Sequence, residues 1–126
     1  MKLISLTACA LALGLLAACA GHVAGVKTAD TAKGTVLADA KGMTLYTFDR
    51  DAAGKSNCNG QCAQNWPPLK ADAGAQPTGE WTVVKRDDGS AQWAYKGKPV
   101  YGWVKDQKPG DVTGDGVNDV WRLARP

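Results

Sequence analysis

The sequence predicts an all-β fold: a small antiparallel meander or sandwich-like domain built from two related repeats. Three observations predict it. First, Lys41 to Asp51 (KGMTLYTFDRD) recurs without a gap as Lys96 to Asp106 (KGKPVYGWVKD), so that Tyr101 follows Tyr46 by 55 residues. The same offset carries Gly34 to Gly89 and Trp66 to Trp121, giving repeats of about 34–69 and 89–124. Internal self-similarity at a fixed period marks one supersecondary unit used twice. Second, Tyr46 and Phe48 stand two apart, as do Tyr101 and Trp103, the spacing that puts side chains on one face of a half-buried strand. Third, short β-prone runs alternate with Gly-containing turns, and no helical period is sustained.

The elements follow in order. Met1-Lys2 and the apolar run Leu3 to Ala18 have the form of a signal peptide and are short for a membrane span. The run ends in Leu16-Ala17-Ala18-Cys19, which looks like a bacterial lipobox. On that reading residues 1–18 are removed and Cys19 becomes the lipidated first residue, a membrane anchor. Ala20, where an Asp would signal inner-membrane retention, points to the outer membrane in a diderm cell. Residues 19–33 then serve as lipidated cysteine and tether, although the offset carries Trp81 back to Val26 and leaves open a strand starting there. Residues 34–126 form the domain, which at this size buries about two thirds of its unfolded surface.

Gly34 to Ala38 and Met43 to Phe48 are expected strands joined by Asp39-Ala40-Lys41-Gly42. Trp81 to Arg86, Ala91 to Tyr95 and Val100 to Val104 are expected as a meander turning at Asp87-Asp88-Gly89 and Lys96-Gly97. A last strand is expected around Val120 to Ala124. One helical turn is placed at Gly60 to Asn65, stopped by Trp66-Pro67-Pro68 because proline disfavours helix in the residue before it.

Several residues invite chemical readings. Cys58 and Cys62 are the only cysteine pair left after processing, and outside the cytoplasm such a pair is read as a disulfide, with a redox couple or a soft-metal site as the alternatives. Asp111, Thr113, Asp115 and Asp119 alternate around Gly114 and Gly116 as in the first half of a calcium loop, but Arg122 stands where the bidentate Glu would be. The other reading of that segment is a Gly/Asp turn leading into the last strand. Asp51 and Asp106 close the two copies of the motif, where a carboxylate accepts backbone N–H groups and pins the following loop. Trp93 and Tyr95 share a strand face and, at the offset of 55, replace Ala38 and Ala40. They are candidates for a stacking surface present in one copy only.

The exclusions are equally informative. The sequence has one histidine, His22, and one glutamate, Glu80. Ser-His-Asp and Cys-His sites and multi-His metal sites therefore cannot be assembled, and an enzyme is not expected. The formal net charge is only +3, with basic residues scattered among acidic ones, so nucleic acid is not an expected partner.

The doubled Tyr46-x-Phe48-x-x-Asp51 and Tyr101-x-Trp103-x-x-Asp106, with Cys58, Cys62, Ala63 and the run Trp66-Pro67-Pro68-Leu69, resemble a bacterial secreted-repeat lipoprotein family known by its Tyr-x-(Phe/Trp/Tyr)-x-x-Asp motif. The resemblance spans roughly 34–123. It implies an envelope-anchored lipoprotein and no particular activity, since the family is known chiefly as one of unknown function. The expectation is a non-catalytic binding or scaffolding module whose partner is the membrane, through Cys19, and an envelope protein or glycan. A redox protein working through Cys58 and Cys62, and a calcium-dependent adhesion module, are the alternatives. No cofactor other than calcium is suggested.

Overall fold

The computed structural model describes residues 23 and 25–126; the expected signal peptide 1–18 and the expected lipidation site Cys19 lie outside the described residues. β1 (Lys27–Thr31) and β2 (Gly34–Ala38) pair antiparallel, Lys27 opposite Ala38. β3 (Tyr46–Phe48) pairs with the last strand, β7 (Trp121–Leu123). β4 (Trp81–Lys85), β5 (Ala91–Tyr95) and β6 (Lys98–Pro99) form a three-stranded antiparallel sheet. α1 (Gln61–Asn65) is the single helical turn expected before Trp66-Pro67-Pro68.

Three boundaries differ from expectation, the first being that of β3, which begins at Tyr46 where a strand from Met43 is expected, with only an isolated bridge at Thr44 before it. β1 lies in the stretch read as tether, so the folded body begins before Gly34, with Val26 already buried. Its composition hid it: of its five residues only Ala29 packs inward as an apolar side chain. The expected strand Val100 to Val104 is instead the two-residue β6 followed by isolated bridges at Tyr101. Tyr101 faces Pro68, and Gly102 N donates to Pro67 O at 2.8 Å. Two successive prolines offer carbonyls but no N–H, so the ladder stops. In the first copy the equivalent places are held by Leu123 and Arg122, and a regular pair forms.

The two copies exchange their last strands. β3 of the first copy pairs with β7 of the second, while Tyr101 of the second pairs with Pro68 of the first. Where the copies meet, Tyr46 N donates to Tyr101 O (2.7 Å) and Tyr101 N to Tyr46 O (2.9 Å). Equivalent bonds recur around this pair: Ala124 N to Leu45 O matches Leu69 N to Val100 O, and Asp49 N to Val120 O matches Val104 N to Asn65 O. The result is a local pseudo-two-fold arrangement through the Tyr46–Tyr101 bridge.

The match slips inside β5. Ala38 bridges Thr44, but Pro99, 55 residues past Thr44, pairs with Ala94, which is 56 past Ala38. Likewise Leu37 N donates to Ala124 O, and Trp93 N, not Gln92 N, donates to Leu69 O. The extra residue lies in the β4–β5 turn, where Asp87-Asp88-Gly89 replaces Ala32-Lys33, and the β5–β6 turn gives it back. Trp93 therefore stands in the place of Leu37, not Ala38, and Tyr95 in the place of Asp39, not Ala40.

Two apolar clusters hold the molecule together, and each draws on both copies. One gathers Val26, Leu37 and Leu45 with Trp81, Val100 and Ala124, and Trp93, Tyr95 and Leu69 pack against it. The other gathers Val36, Tyr46, Cys58 and Trp66 with Tyr101, Trp121 and Leu123. Neither copy has a core of its own, so the two repeats form one interleaved body.

Candidate functional site

The motif aspartates do pin the following loops, and they also join the two copies. Asp106 Oδ1 accepts from Thr113 N (3.0 Å) and Thr113 Oγ1 (2.6 Å), while Oδ2 accepts from the hydroxyl of Tyr46, in the other copy, at 2.6 Å. Asp51 Oδ1 accepts from Asn57 N (2.7 Å), and its Oδ2 accepts from the hydroxyl of Tyr101, again in the other copy, at 2.6 Å. These are short hydrogen bonds to a carboxylate, the strong kind. Both tyrosine side chains are fully buried, and burial first, then the carboxylate partner, pushes each phenol well above its ordinary range. The phenols are therefore fixed as donors. Gly114 is required here: its N–H reaches Tyr46 Oη at 3.2 Å, and a Cβ would lie 2.9 Å from both the Tyr46 and Trp66 rings.

Alongside the latches runs a column of four aromatic rings. Phe48 stacks on Trp121 (centroids 4.3 Å apart), Trp121 on Trp66 (3.7 Å) and Trp66 on Trp103 (3.8 Å), with interplanar angles of 15°, 5° and 22°. The inner rings are buried and the outer two half-buried. Tyr46 meets Trp66 edge-on at 5.5 Å, and Tyr101 meets Trp121 edge-on at 5.2 Å. Such edge-to-face pairs suit the quadrupoles of the rings. The doubled motif thus acts as a unit, in which the tyrosine and aspartate cross-latch the copies and the aromatic two residues after the tyrosine caps the column.

Cys58 and Cys62 form a disulfide, with Cys58 fully buried and Cys62 half-buried. Its loop is held by a cation from the second copy. Arg86, 5% exposed, donates Nη2 to Cys58 O (2.5 Å) and Nη1 to Ser56 Oγ (2.9 Å) and Gln92 Oε1 (2.8 Å). Gln92 in turn donates to Val100 O. Ser56 Oγ accepts from Arg86 and so donates to Tyr101 Oη at 2.7 Å, closing the network without an orphan. Lys55 and Asn59 add contacts to Asp87.

A family model described as a secreted repeat of unknown function, Lipoprotein_15, matches residues 27–70 and again residues 82–125. The chain belongs to this secreted-repeat family. The matched segments begin at β1 and within β4, so the repeat unit includes the strand hidden in the apparent tether. Neither curated proteins nor solved structures gave a match. The secreted character of the family gives an extracellular or envelope location. Among the described residues no helix is long and apolar enough to cross a membrane.

Other sequence candidates of this secreted-repeat protein fare unevenly. Trp93 and Tyr95 are half-buried and lean on Trp81, at 6.4 and 4.9 Å between centroids. Since Trp93 occupies the place of Leu37, it belongs to the core. Tyr95 still reaches a groove of about 240 Å³, which it lines with Thr47, Lys96, Lys98 and Arg125. The Asp111 to Asp119 segment does not bring its oxygens together. Asp111 accepts from Gln107 N and Lys108 N, Thr113 serves Asp106, Asp115 pairs with Lys33, and Asp119 faces Arg122. Among the described residues no group of three or more His, Cys, Asp or Glu could hold a metal ion.

Ser56, Arg86 and Gln92 escaped sequence reasoning. The available signal was weak: a lone Arg ending a strand and a Gln at an inward position of another.

Proposed function

We propose that this secreted-repeat protein is an envelope-anchored, non-catalytic module for binding or scaffolding, tethered through a lipid on Cys19. The observation that carries this reading is the use of the doubled motif. Both tyrosine hydroxyls and both aspartates are occupied by each other across the copies, which leaves the signature residues no nucleophile or base free to meet a substrate. The disulfide supports the same reading, because Cys58 is buried and its loop is clamped by Arg86. A small ring closed this way stabilises by about 2 kcal/mol in the chain-entropy model.

The contact surface is the groove at Tyr95. Lys96, Lys98 and Arg125 line it without a carboxylate, over a floor of Val100, Leu123 and Ala124. That surface suits an envelope protein or glycan bearing negative charge.

Two measurements test the proposal. Cys19→Ala should move the protein out of the membrane fraction. A photocrosslinking residue at position 98 should capture a discrete envelope component, whereas one at exposed Gln76 should not. Equal capture at both positions removes the groove from the reading. A disulfide potential near those of dithiol oxidoreductases, about −120 to −230 mV, in place of one below about −300 mV, would turn Cys58 and Cys62 into a redox site.

A further inference from the structure

The aromatic column has an asymmetry that packing alone leaves unused. Its two ends are matched positions, Phe48 and Trp103, yet only one carries an easily oxidised ring. From half-buried Trp103 a continuous series of stacked indoles runs inward through Trp66 to Trp121 at centroid separations of 3.8 and 3.7 Å. At the far end Phe48, which is hard to oxidise, closes the column. Each buried indole touches one tyrosine edge-on, and each tyrosine hydroxyl lies 2.6 Å from a carboxylate oxygen.

We propose that the column is a one-electron relay that carries oxidising equivalents from Trp103 to Tyr101 and Tyr46. A one-electron oxidant of high potential, a metal complex or metal centre docked at Trp103, takes one electron from its indole and is reduced. Trp66 refills Trp103, and Trp121 refills Trp66. Tyr101 then gives an electron to Trp121 as its hydroxyl proton passes to Asp51 Oδ2. In balance, the tyrosine, the carboxylate and the oxidant become a neutral phenoxyl radical, a carboxylic acid and the reduced oxidant. Tyr46 and Asp106 provide the same step directly at Trp66.

Geometry favours the inward direction. Lys105 Nζ sits 5.9 Å from the Trp103 ring centroid, so a positive charge on Trp103 is repelled. At the inner end each tyrosine hydroxyl donates to a carboxylate, Tyr101 to Asp51 and Tyr46 to Asp106. Proton transfer to a group already within hydrogen-bond reach needs no rearrangement. Burial holds the Asp51 carboxyl above the ordinary carboxylate range, which makes it a better proton acceptor.

The test is laser-flash oxidation of the full-length protein in detergent with a photogenerated ruthenium(III) polypyridyl complex, read by transient absorption and electron paramagnetic resonance. The expected result is an indole radical that converts to a phenoxyl radical, more slowly in D2O. Trp103→Phe keeps a stacking ring, as Phe48 does at the matched position, and should lose most of the phenoxyl signal. Asp51→Asn/Asp106→Asn should leave the indole radical without conversion. Tyr46→Phe/Tyr101→Phe measures what Tyr95 contributes by direct oxidation. A phenoxyl yield in Trp103→Phe equal to that of wild type overturns the relay, as does a yield in Tyr46→Phe/Tyr101→Phe that matches wild type.

Discussion

Tyr101 is the residue through which three contacts meet: it donates to Asp51, accepts from Ser56, and lays its ring edge-on to Trp121. Tyr101→Phe keeps the ring and removes the hydroxyl, leaving a carboxylate and a serine short of a partner. Hydrogen bonds to charged groups contribute about 1.5–3 kcal/mol, so urea unfolding should show a loss of that size. Asp51 also carries a pH dependence. Burial raises its pKa despite the opposing effects of Tyr101, Asn57 and Arg86. The folded chain then keeps the proton to higher pH than the unfolded chain, whose value is about 4. The contribution of Asp51 to stability is therefore fullest below about pH 4 and is lost as pH rises through its folded pKa. The stability of wild type relative to Asp51→Asn should fall over that interval in urea titrations taken at successive pH values; a difference that grows with pH would contradict the assignment. At this scale the sequence was legible for Asp51 and Asp106 as loop pins. Their tyrosine partners were not, because each lies in the other copy, and local spacing carries no record of that.

The column unites short elements that have little else to stabilise them: β3 and β7 are three residues each, and α1 is one helical turn. Trp66 is one of its two inner rings and caps the C-terminus of α1, so Trp66→Ala should cost about 3–5 kcal/mol, as large-to-small core changes do. Trp103→Phe should cost far less by the same thermal or urea measurement, since Phe48 shows that phenylalanine fits the matched end. The two-residue spacing of Tyr46 and Phe48 announced a shared strand face, and Pro67-Pro68 announced the end of α1. The prolines also stopped pairing at Tyr101, which a local reading of Val100 to Val104 as β-prone missed. The slip in β5 was likewise invisible, because the turns on either side compensate and the offset returns to 55. Only the hydrogen bonds of Trp93 and the pairing of Ala94 expose it.

Because both apolar clusters draw on both copies, the molecule should behave as one cooperative unit. A chain cut between Gly74 and Ala75, in the exposed linker between Ala71 and β4, gives two halves that each lack part of both clusters. Neither half should show a cooperative thermal transition by circular dichroism alone, whereas the mixture should recover one and sediment as a one-to-one complex. A half that melts cooperatively by itself would show that a copy can fold independently. The all-β class and the duplication were legible from the period and the turn residues. The interleaving was not, since a repeat tells how often a unit occurs and not whose strand completes it.

The exchange of last strands also sets an order of events. Leu37 N and Leu45 O find their partner in Ala124, in the last stretch of the second copy. The first copy thus cannot close until the second has been made, although it leaves the ribosome first. Synthesis and folding are uncoupled by topology: long-range contacts that delay closure keep the first copy open while the second is made. In a secreted-repeat protein the fold itself thus delays closure until both copies are present.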